Sequence, residues 1–184
     1  MMKKTLIIVA HPDIKHSTVN SRWIHELEKY PETFTIHQLY QSYPDGHIDK
    51  LFEQKLIESH MNIVLQFPVY WFSSPPLLKQ WQDEVLTYGW AYGVHGDKLR
   101  DKKMGLAVST GITAQDYSQQ GRWGMTLPEI LSPFELTAKY IRADYQTPFI
   151  FYGIDSHASY NAEALQKIDQ SAQNYIEYLQ RIFR

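Results

Sequence analysis

TLIIVAHPDIKHSTVN, residues 5–20, is the stretch that decides the fold of this chain. Residues 5–10 are apolar or β-branched without alternation, which is typical of a strand buried on both faces of a parallel sheet. After His11, apolar residues recur at helical spacing: Val19, Trp23, Ile24 and Leu27. Ser17 or Thr18 is the expected N-cap of that helix. Because the free N–H groups of a helix start face the preceding loop, the stretch predicts a strand that feeds an anion-binding turn.

Composition fits an ordinary globular chain that acts on small molecules or proteins. With 184 residues it is long enough for one domain, residues 1–184, with a real core. The net charge is −2 and the sequence pI about 6.4, with scattered Lys and Arg, so no nucleic acid or anionic membrane partner is expected. The absence of cysteine excludes thiolate chemistry and disulfides. Only six apolar residues precede His11, too few for a signal core or a membrane span, and we expect a cytoplasmic protein.

Strand and helix patterns alternate along the rest of the chain. Further strands are predicted at 34–39, 62–67, 104–109 and 144–152, and the pattern at 34–39 alternates as in an edge strand. Asp49 is expected to cap a helix that buries Leu51, Phe52, Leu56 and Ile57, and other helices are expected after Pro75, at 126–140 with a break at Pro133, and at 161–183. The last of these is expected to bury Leu165, Ile168, Ala172, Tyr175, Ile176 and Leu179. The alternation predicts an α/β, doubly wound, five-stranded parallel sheet with helices on both faces and the flavodoxin-like strand order 2-1-3-4-5.

This topology predicts that ligands bind at the loops after strands one, three and four. Those loops, 11–20, 68–74 and 110–123, are the richest in hydroxyl, aromatic and glycine residues. The first strand is not followed by Gly-x-Gly-x-x-Gly, which disfavours a Rossmann dinucleotide turn, and no Walker lysine is present. The third strand ends in Phe67 and Pro68 rather than in the aspartate of a phospho-acceptor domain.

Three motifs, in order, carry a resemblance to a known family. They are AHPD with HSTVN, then FPVYWFSSPPLLKQW, then STG with YSQQGRWG. Together they resemble the flavin-dependent NAD(P)H:quinone oxidoreductases of the DT-diaphorase type, over residues 6–151. The chain is most similar to the short bacterial branch, which includes ancillary proteins of potassium-efflux systems and drug-modulator reductases. The resemblance implies a homodimer that uses FMN, or FAD, with NADPH or NADH as co-substrate, and that reduces a quinone-like electron acceptor.

The resemblance also implies which residues bind the flavin. The phosphate would be held by His11, Ser17, Thr18, Val19 and Asn20, and the ring by Pro68, Val69, Tyr70, Trp71 and Phe72. The pyrimidine edge would meet Ser109, Thr110, Gly111 and Ile112. Ile112 departs from the family's glycine, and it can donate its N–H only if its φ is negative. The residues alone leave two alternatives open. Ser17 could serve only as a helix cap, and Trp71 and Phe72 could form a hydrophobic corner.

Two further positions would stabilise the negative charge that develops on the flavin. Tyr117 matches the family's tyrosine, and Trp123 stands where the family has a catalytic histidine, with Arg122 beside it. Tyr117 could instead be an ordinary loop tyrosine. The aromatic run Tyr88, Trp90 and Tyr92 is either a local staple or the segment that covers the partner's active site in a dimer. His157 is interpreted as a capping or surface histidine.

Two alternatives to the reductase stay open. AHPD also begins the zinc-dependent deacetylases, but Ile14 replaces the second aspartate of that pattern and no later His-x-x-His follows. The other alternative is a flavin-bearing regulatory subunit that binds a potassium-efflux transporter in the membrane.

Overall fold

A parallel β-sheet organises the molecule, and the computed structural model describes residues 5–155 and 160–183. His157 lies outside the described residues. The central strand β1 (Thr5–Val9) pairs on one side with β2 (Phe34–Gln38) and on the other with β3 (Asn62–Pro68). The strand β4 (Lys103–Ser109) follows, and β5 (Asp144–Tyr145) and β6 (Phe149–Phe151) both pair with it. The sheet order β2-β1-β3-β4-β5 confirms the flavodoxin-like prediction.

Helices cover both faces of the sheet. Their bounds are α1 Thr18–Leu27, α2 Leu39–Ser42, α3 Lys50–Glu58, α4 Pro76–Val85, α5 Leu127–Ile130, α6 Ser132–Tyr140 and α7 Ala162–Ile182. Ile7 and Val9 point toward α1 and α7, whereas Leu6 and Ile8 point toward the core that α4 and α6 close. All four side chains are at most 1% exposed, so β1 is buried on both faces as its apolar run predicts.

The caps that the sequence predicts are present. Ser17 accepts the N–H of Asn20 at the start of α1, and Asp49 accepts the N–H of Phe52 at the start of α3. Thr126 and Glu129 form a capping box at α5, and Pro133 lies in the first turn of α6, where the predicted long helix divides.

Two predicted elements differ from the structure. The fifth strand position holds two short strands, β5 and β6, because Pro148 between them has no N–H to give to a ladder. The short helix α2, Leu39–Ser42, begins at the last residue of the predicted strand 34–39.

The buried face of α3 is only in part the expected one: Ile57 is fully buried and Leu56 partly buried, as predicted. Leu51 and Phe52 are 63% and 51% exposed, and the face toward the sheet carries Glu53, which is fully buried. The carboxylate of Glu53 is accommodated there by three side-chain donors, which an apolar-periodicity argument does not count. On α7, Leu165 is 46% exposed, whereas the other expected core residues of that helix are buried.

None of the helices within residues 5–155 and 160–183 combines the length and apolarity that a bilayer span needs.

Candidate functional site

A cavity of about 390 Å³ opens at the carboxyl ends of β1, β3 and β4. The three loops singled out by the sequence line it together. Predicted residues in its wall are His11, Ser17, Thr18, Val19, Asn20, Pro68, Val69, Tyr70, Ser109, Thr110 and Gly111. Predicted residues outside its immediate wall are Trp71, Phe72, Ile112, Tyr117 and Trp123. The fold therefore brings three loops that are far apart in sequence together at one site.

The start of α1 forms the end of the cavity that is suited to an anion. The Ser17 side chain accepts the N–H of Asn20 at 3.1 Å and so closes the cap. Thr18 and Val19, the next two residues, lie in the cavity wall in the first turn, where backbone N–H groups have no partner within the helix. Their N–H groups and the helix dipole favour a bound phosphate or carboxylate.

His11 contributes a neutral donor beside this helix start. Its Nδ1 accepts the backbone N–H of Asp13 at 3.1 Å. Burial lowers the pKa of His11, although the nearby Asp13 carboxylate opposes that shift. The neutral ring that results carries its hydrogen on Nε2, since Nδ1 acts as the acceptor. At the rim, Asp13 also pairs with His16 at 2.8 Å in an exposed contact.

Asn20 joins all three loops through its buried side chain. Its Nδ2 donates to the Ser109 hydroxyl at 3.0 Å, and its Oδ1 accepts Nε2 of Gln66 at 3.3 Å. Those bonds connect the first turn of α1 to the ends of β3 and β4. The Asn20 amide therefore holds the start of α1 against the ends of both strands.

The loop after β3 turns back on itself within two residues. The N–H of Tyr70 donates to the carbonyl of Ser73 at 2.9 Å, and the N–H of Ser73 donates back at 3.0 Å. The two central residues, Trp71 and Phe72, have φ of +48° and +61°, as in a type I′ turn. Asn and Gly normally occupy such positions, and other residues in this region cost about 1–2 kcal/mol each. The strain identifies the turn as a functional candidate.

The loop after β4 is tied to the segment after β6. The N–H of Thr110 donates to the Phe151 carbonyl at 3.0 Å, and the N–H of Gly153 donates to the Ile112 carbonyl at 3.1 Å. A Cβ on Gly111 would lie 3.3 Å from Cα of Asp155, so the backbone approaches closely there. The φ of Ile112 is not positive, so isoleucine fits this backbone without strain. Its N–H donates to the Thr110 hydroxyl at 3.2 Å.

An aromatic cluster stands beside the cavity. The ring of Phe72 meets Trp123 edge to face with centroids 5.2 Å apart, and it meets Tyr117 at 6.5 Å. Tyr117 is 3% exposed and also contacts Tyr152. Burial raises the pKa of Tyr117, although a hydrogen bond with the Thr110 side chain opposes that shift. Its hydroxyl therefore stays protonated in neutral solution.

Trp123 differs from a catalytic histidine in what it can supply. Its indole N–H can donate a hydrogen bond, but it does not ionise in water and so cannot deliver a proton. Nε1 is buried and has no hydrogen-bond partner within the described residues. The Arg122 guanidinium carbon lies 4.7 Å from the ring centroid.

The segment after β6 was not among the sequence-predicted site residues, yet it completes the cavity. Ile154, Asp155 and Tyr160 belong to its wall. The signal that could have found them is topological, because the loop after the fifth strand position leaves the same edge of a parallel sheet as the other three.

In the part of the chain that the structure describes, no group of three His, Cys, Asp or Glu side chains is placed to hold a metal ion.

A second aromatic surface lies on the α4 and α6 side of the molecule. Tyr92 packs against Tyr88 and Tyr140 with ring centroids 5.9 and 5.2 Å away. Tyr88 and Tyr140 are 65% and 69% exposed, and the nearby Leu136 is 63% exposed. Trp90 instead folds back, since its indole N–H donates to Glu58 at 2.7 Å. We call Tyr88, Tyr92, Leu136 and Tyr140 the aromatic patch.

Comparison with known proteins finds a family model described as the flavodoxin-like fold, which matches residues 3–179. General stress protein 14 of Bacillus subtilis is 44% identical over 180 residues, covering 98% of this chain and 99% of that protein. The uncharacterized NAD(P)H oxidoreductase YrkL of Bacillus subtilis is 44% identical over 176 residues, covering 96% and 97%. The glutathione-regulated potassium-efflux system ancillary protein KefG of Erwinia tasmaniensis is 40% identical over 149 residues, covering 81% and 80%.

Two solved structures are also similar to this chain in fold and sequence. A general stress protein 14 from Treponema denticola, in complex with FMN, has a TM-score of 0.92 and 50% identity, covering 97% of this chain and 98% of that one. An NADPH-quinone reductase from P. pentosaceus has a TM-score of 0.79 and 30% identity, covering 94% and 96%.

Proposed function

Since the chain belongs to the family with the flavodoxin-like fold, we propose that it is a flavin-dependent NAD(P)H oxidoreductase that reduces quinones or similar electrophiles by two electrons. Residues 1–184 act as one catalytic domain in this proposal. The names of its relatives support it: YrkL is called an NAD(P)H oxidoreductase, and the P. pentosaceus protein an NADPH-quinone reductase.

The observation that carries the proposal is the cavity formed by three loops at one edge of the sheet. One end offers the N–H groups at the start of α1 and the neutral His11 ring. Those donors suit a phosphate. The loops after β3 and β4 contribute Pro68, Val69, Tyr70, Ser109, Thr110 and Gly111 to the same wall. A cavity with an anion-binding helix start and loops from two further strands fits a phosphorylated flavin.

FMN is the flavin that we propose, with FAD as the alternative. The Treponema denticola relative was solved in complex with FMN, which supports this choice. His11, Ser17, Thr18 and Val19 would hold the phosphate end, and Asn20 would fix the helix start that carries those groups. Pro68, Val69, Tyr70, Trp71 and Phe72 would line the ring, and Ser109, Thr110, Gly111 and Ile112 its pyrimidine edge.

The bound flavin would take a hydride from NADPH or NADH and give it to the acceptor in a ping-pong sequence. The chain supplies position and electrostatics. Tyr117, kept protonated by burial, would offer its hydroxyl to the negative charge that develops on the flavin. Trp123 supplies no proton, so the proton that accompanies hydride to a quinone has to come from another group or from solvent.

An absorption spectrum of the purified protein tests this proposal. The protein is incubated with FMN or FAD, desalted, and then titrated with NADPH or NADH without oxygen. We expect flavin bands to remain after desalting with FMN and to bleach on reduction by the nicotinamide. A protein that retains neither flavin contradicts the proposal, and a flavoprotein that no nicotinamide reduces contradicts the enzymatic part of it.

The proposal includes a homodimer and a cytoplasmic location. The aromatic patch supports the homodimer, because exposed tyrosines and leucine clustered on one face are typical of protein interfaces. In such a dimer Tyr88 and Tyr92 would lie near the partner's active site.

A second candidate function is that of a flavin-bearing regulatory subunit of a potassium-efflux system. The similarity to KefG of Erwinia tasmaniensis favours it. Affinity purification from detergent-solubilised membranes of the source cells separates the two functions. Stoichiometric recovery of a membrane transporter supports the regulatory subunit, and recovery of the flavoprotein alone supports the free enzyme.

A further inference from the structure

The turn at residues 70–73 is held in a conformation that its own residues disfavour. Trp71 and Phe72 both have positive φ, at +48° and +61°. Neither is glycine, asparagine or aspartate, the residues that adopt this region readily. The paired hydrogen bonds between Tyr70 and Ser73 close the turn but are compatible with other central residues. A contact outside the turn must therefore compensate for the strain.

The side chain of Phe72 makes that contact. The Trp71 ring is 94% exposed and gains little from packing, whereas Phe72 is 37% exposed. The Phe72 ring meets Trp123 at 5.2 Å with the ring planes 74° apart, and meets Tyr117 at 6.5 Å and 85°. Both are favourable edge-to-face geometries, and the closer one involves Trp123.

Trp123 is itself fixed by the backbone around it. A Cβ on Gly121 would lie 2.1 Å from the carbonyl oxygen of Gln115, so the loop closes tightly only with glycine there. The backbone N–H of Trp123 then donates to the Asp116 carbonyl at 3.4 Å, and Arg122 lies over the indole ring. Residues of its own loop therefore hold both the backbone and the ring of Trp123.

The surroundings of the Trp123 indole nitrogen distinguish a packing role from a hydrogen-bonding role. Nε1 is buried and has no partner within the described residues, so the site bears an unsatisfied donor. Because that atom is closed to solvent, it does not reach a ligand in this conformation. The position of Trp123 is explained by ring packing and not by a hydrogen bond.

We infer that Trp123 is a positioning residue whose ring holds Phe72, and with it the Trp71–Phe72 turn, in the left-handed conformation before any ligand binds. The effect on flavin affinity rests on the proposed function, whereas the effect on the turn itself does not.

Flavin affinity gives the first test, with two substitutions that separate packing from hydrogen bonding. Trp123→Leu removes the aromatic ring, and Trp123→Phe keeps an aromatic ring but has no N–H. We expect Trp123→Leu to weaken FMN binding roughly three- to tenfold, measured by quenching of flavin fluorescence, and Trp123→Phe to change it less than about twofold. Equal losses in the two variants, or no loss in Trp123→Leu, overturn the inference.

A double-mutant cycle shows whether the effect passes through the turn. Phe72→Gly removes both the ring and the backbone strain but keeps the N–H group. In the Phe72→Gly background, Trp123→Leu should change the FMN dissociation constant by less than about twofold. If Trp123→Leu weakens FMN binding as much in the Phe72→Gly background as in the wild type, Trp123 acts by another route and the inference is overturned.

Hydrogen exchange tests the turn without any flavin. In the flavin-free protein, Trp123→Leu should speed exchange of the Ser73 amide by about fivefold, and Trp123→Phe should leave it nearly unchanged. Thermal unfolding of each variant checks that the whole chain remains folded. An unchanged Ser73 rate in Trp123→Leu overturns the inference. Faster exchange in a protein that binds no flavin supports the positioning role while the proposed function fails.

Discussion

At the scale of single residues, the side chains next to the cavity divide into those that form its wall and those that fix the wall. His11 and Thr110 belong to the first group. Tyr117 belongs to the second, because it is 3% exposed and lies beside the wall residue Thr110. Since its hydroxyl would stabilise the negative charge on the flavin, a substitution at Tyr117 should affect turnover more than binding.

Tyr117→Phe removes the phenol hydroxyl and keeps the aromatic packing against Phe72 and Tyr152. We expect kcat to fall by at least about tenfold while the FMN dissociation constant changes less than about threefold. Steady-state kinetics with NADPH and a quinone, together with a flavin titration, measure both. Tyr152→Phe is the matched control, since it removes a neighbouring phenol hydroxyl outside the cavity wall. Unchanged kcat in Tyr117→Phe would remove this residue from the mechanism.

At the scale of helices and strands, the sequence predicts most of the framework because periodicity and caps are local signals. The structure confirms the buried strand β1, the Ser17 cap and the order of the sheet. The inward-facing Glu53 of α3 and the left-handed turn after β3 have non-local causes. Glu53 can turn inward only because donors from β2, α4 and the segment after α2 meet it, and no pattern within α3 records them. The strain at Phe72 likewise depends on Trp123, which lies 51 positions further along the chain.

The buried Glu53 network joins three elements. One carboxylate oxygen accepts from His37 Nε2 at 2.6 Å and from the Tyr43 hydroxyl at 2.5 Å. The other accepts the Trp81 indole N–H at 2.8 Å. Burial alone would raise the pKa of Glu53, but the hydrogen bonds from His37, Tyr43 and Trp81 and the charge of His37 together lower it.

Glu53→Gln should destabilise the fold by about 3 kcal/mol, because the new amide NH2 faces groups that donate. Urea unfolding at pH 7 measures this free energy. Glu32→Gln, at an exposed position, is the control and should change it by less than about 0.5 kcal/mol. A loss in Glu53→Gln no larger than in the control would show that the network does not stabilise the fold.

The same variant gives a pH dependence with a defined sign. The pKa of Glu53 is lowered from its ordinary value of 4.5 in the folded protein. Its contribution is therefore complete above pH 4.5 and is lost as the pH falls through the lower folded value. The difference in unfolding free energy between the wild type and Glu53→Gln should be constant from pH 7 to pH 5 and shrink below about pH 4. A difference that grows on acidification would contradict the lowered pKa.

At the scale of the whole molecule, the two faces of the sheet differ in what they expose. The α1 and α7 face is closed by packed helices, with Arg22 bridging Glu26 and Asp169. The α4 and α6 face carries the aromatic patch. The proposed homodimer should therefore form through the latter face.

Tyr140→Lys places a charge in the aromatic patch and should raise the dimer dissociation constant by about thirtyfold or more. Light scattering after gel filtration, over a range of protein concentrations, measures it. Leu165→Lys, at a 46% exposed position on α7, is the matched control and should leave the dimer intact. A wild type that stays monomeric, or an intact dimer in Tyr140→Lys, contradicts the proposed interface.

The Asn20 amide, which ties the start of α1 to Gln66 and Ser109, has a consequence for the speed of cofactor capture. Because its hydrogen bonds fix three loops when the chain folds, little conformational entropy remains to be lost when a ligand arrives. Association should then proceed in a single step whose rate constant varies with solvent viscosity, as expected for capture limited by diffusion and not by a slow rearrangement of the loops.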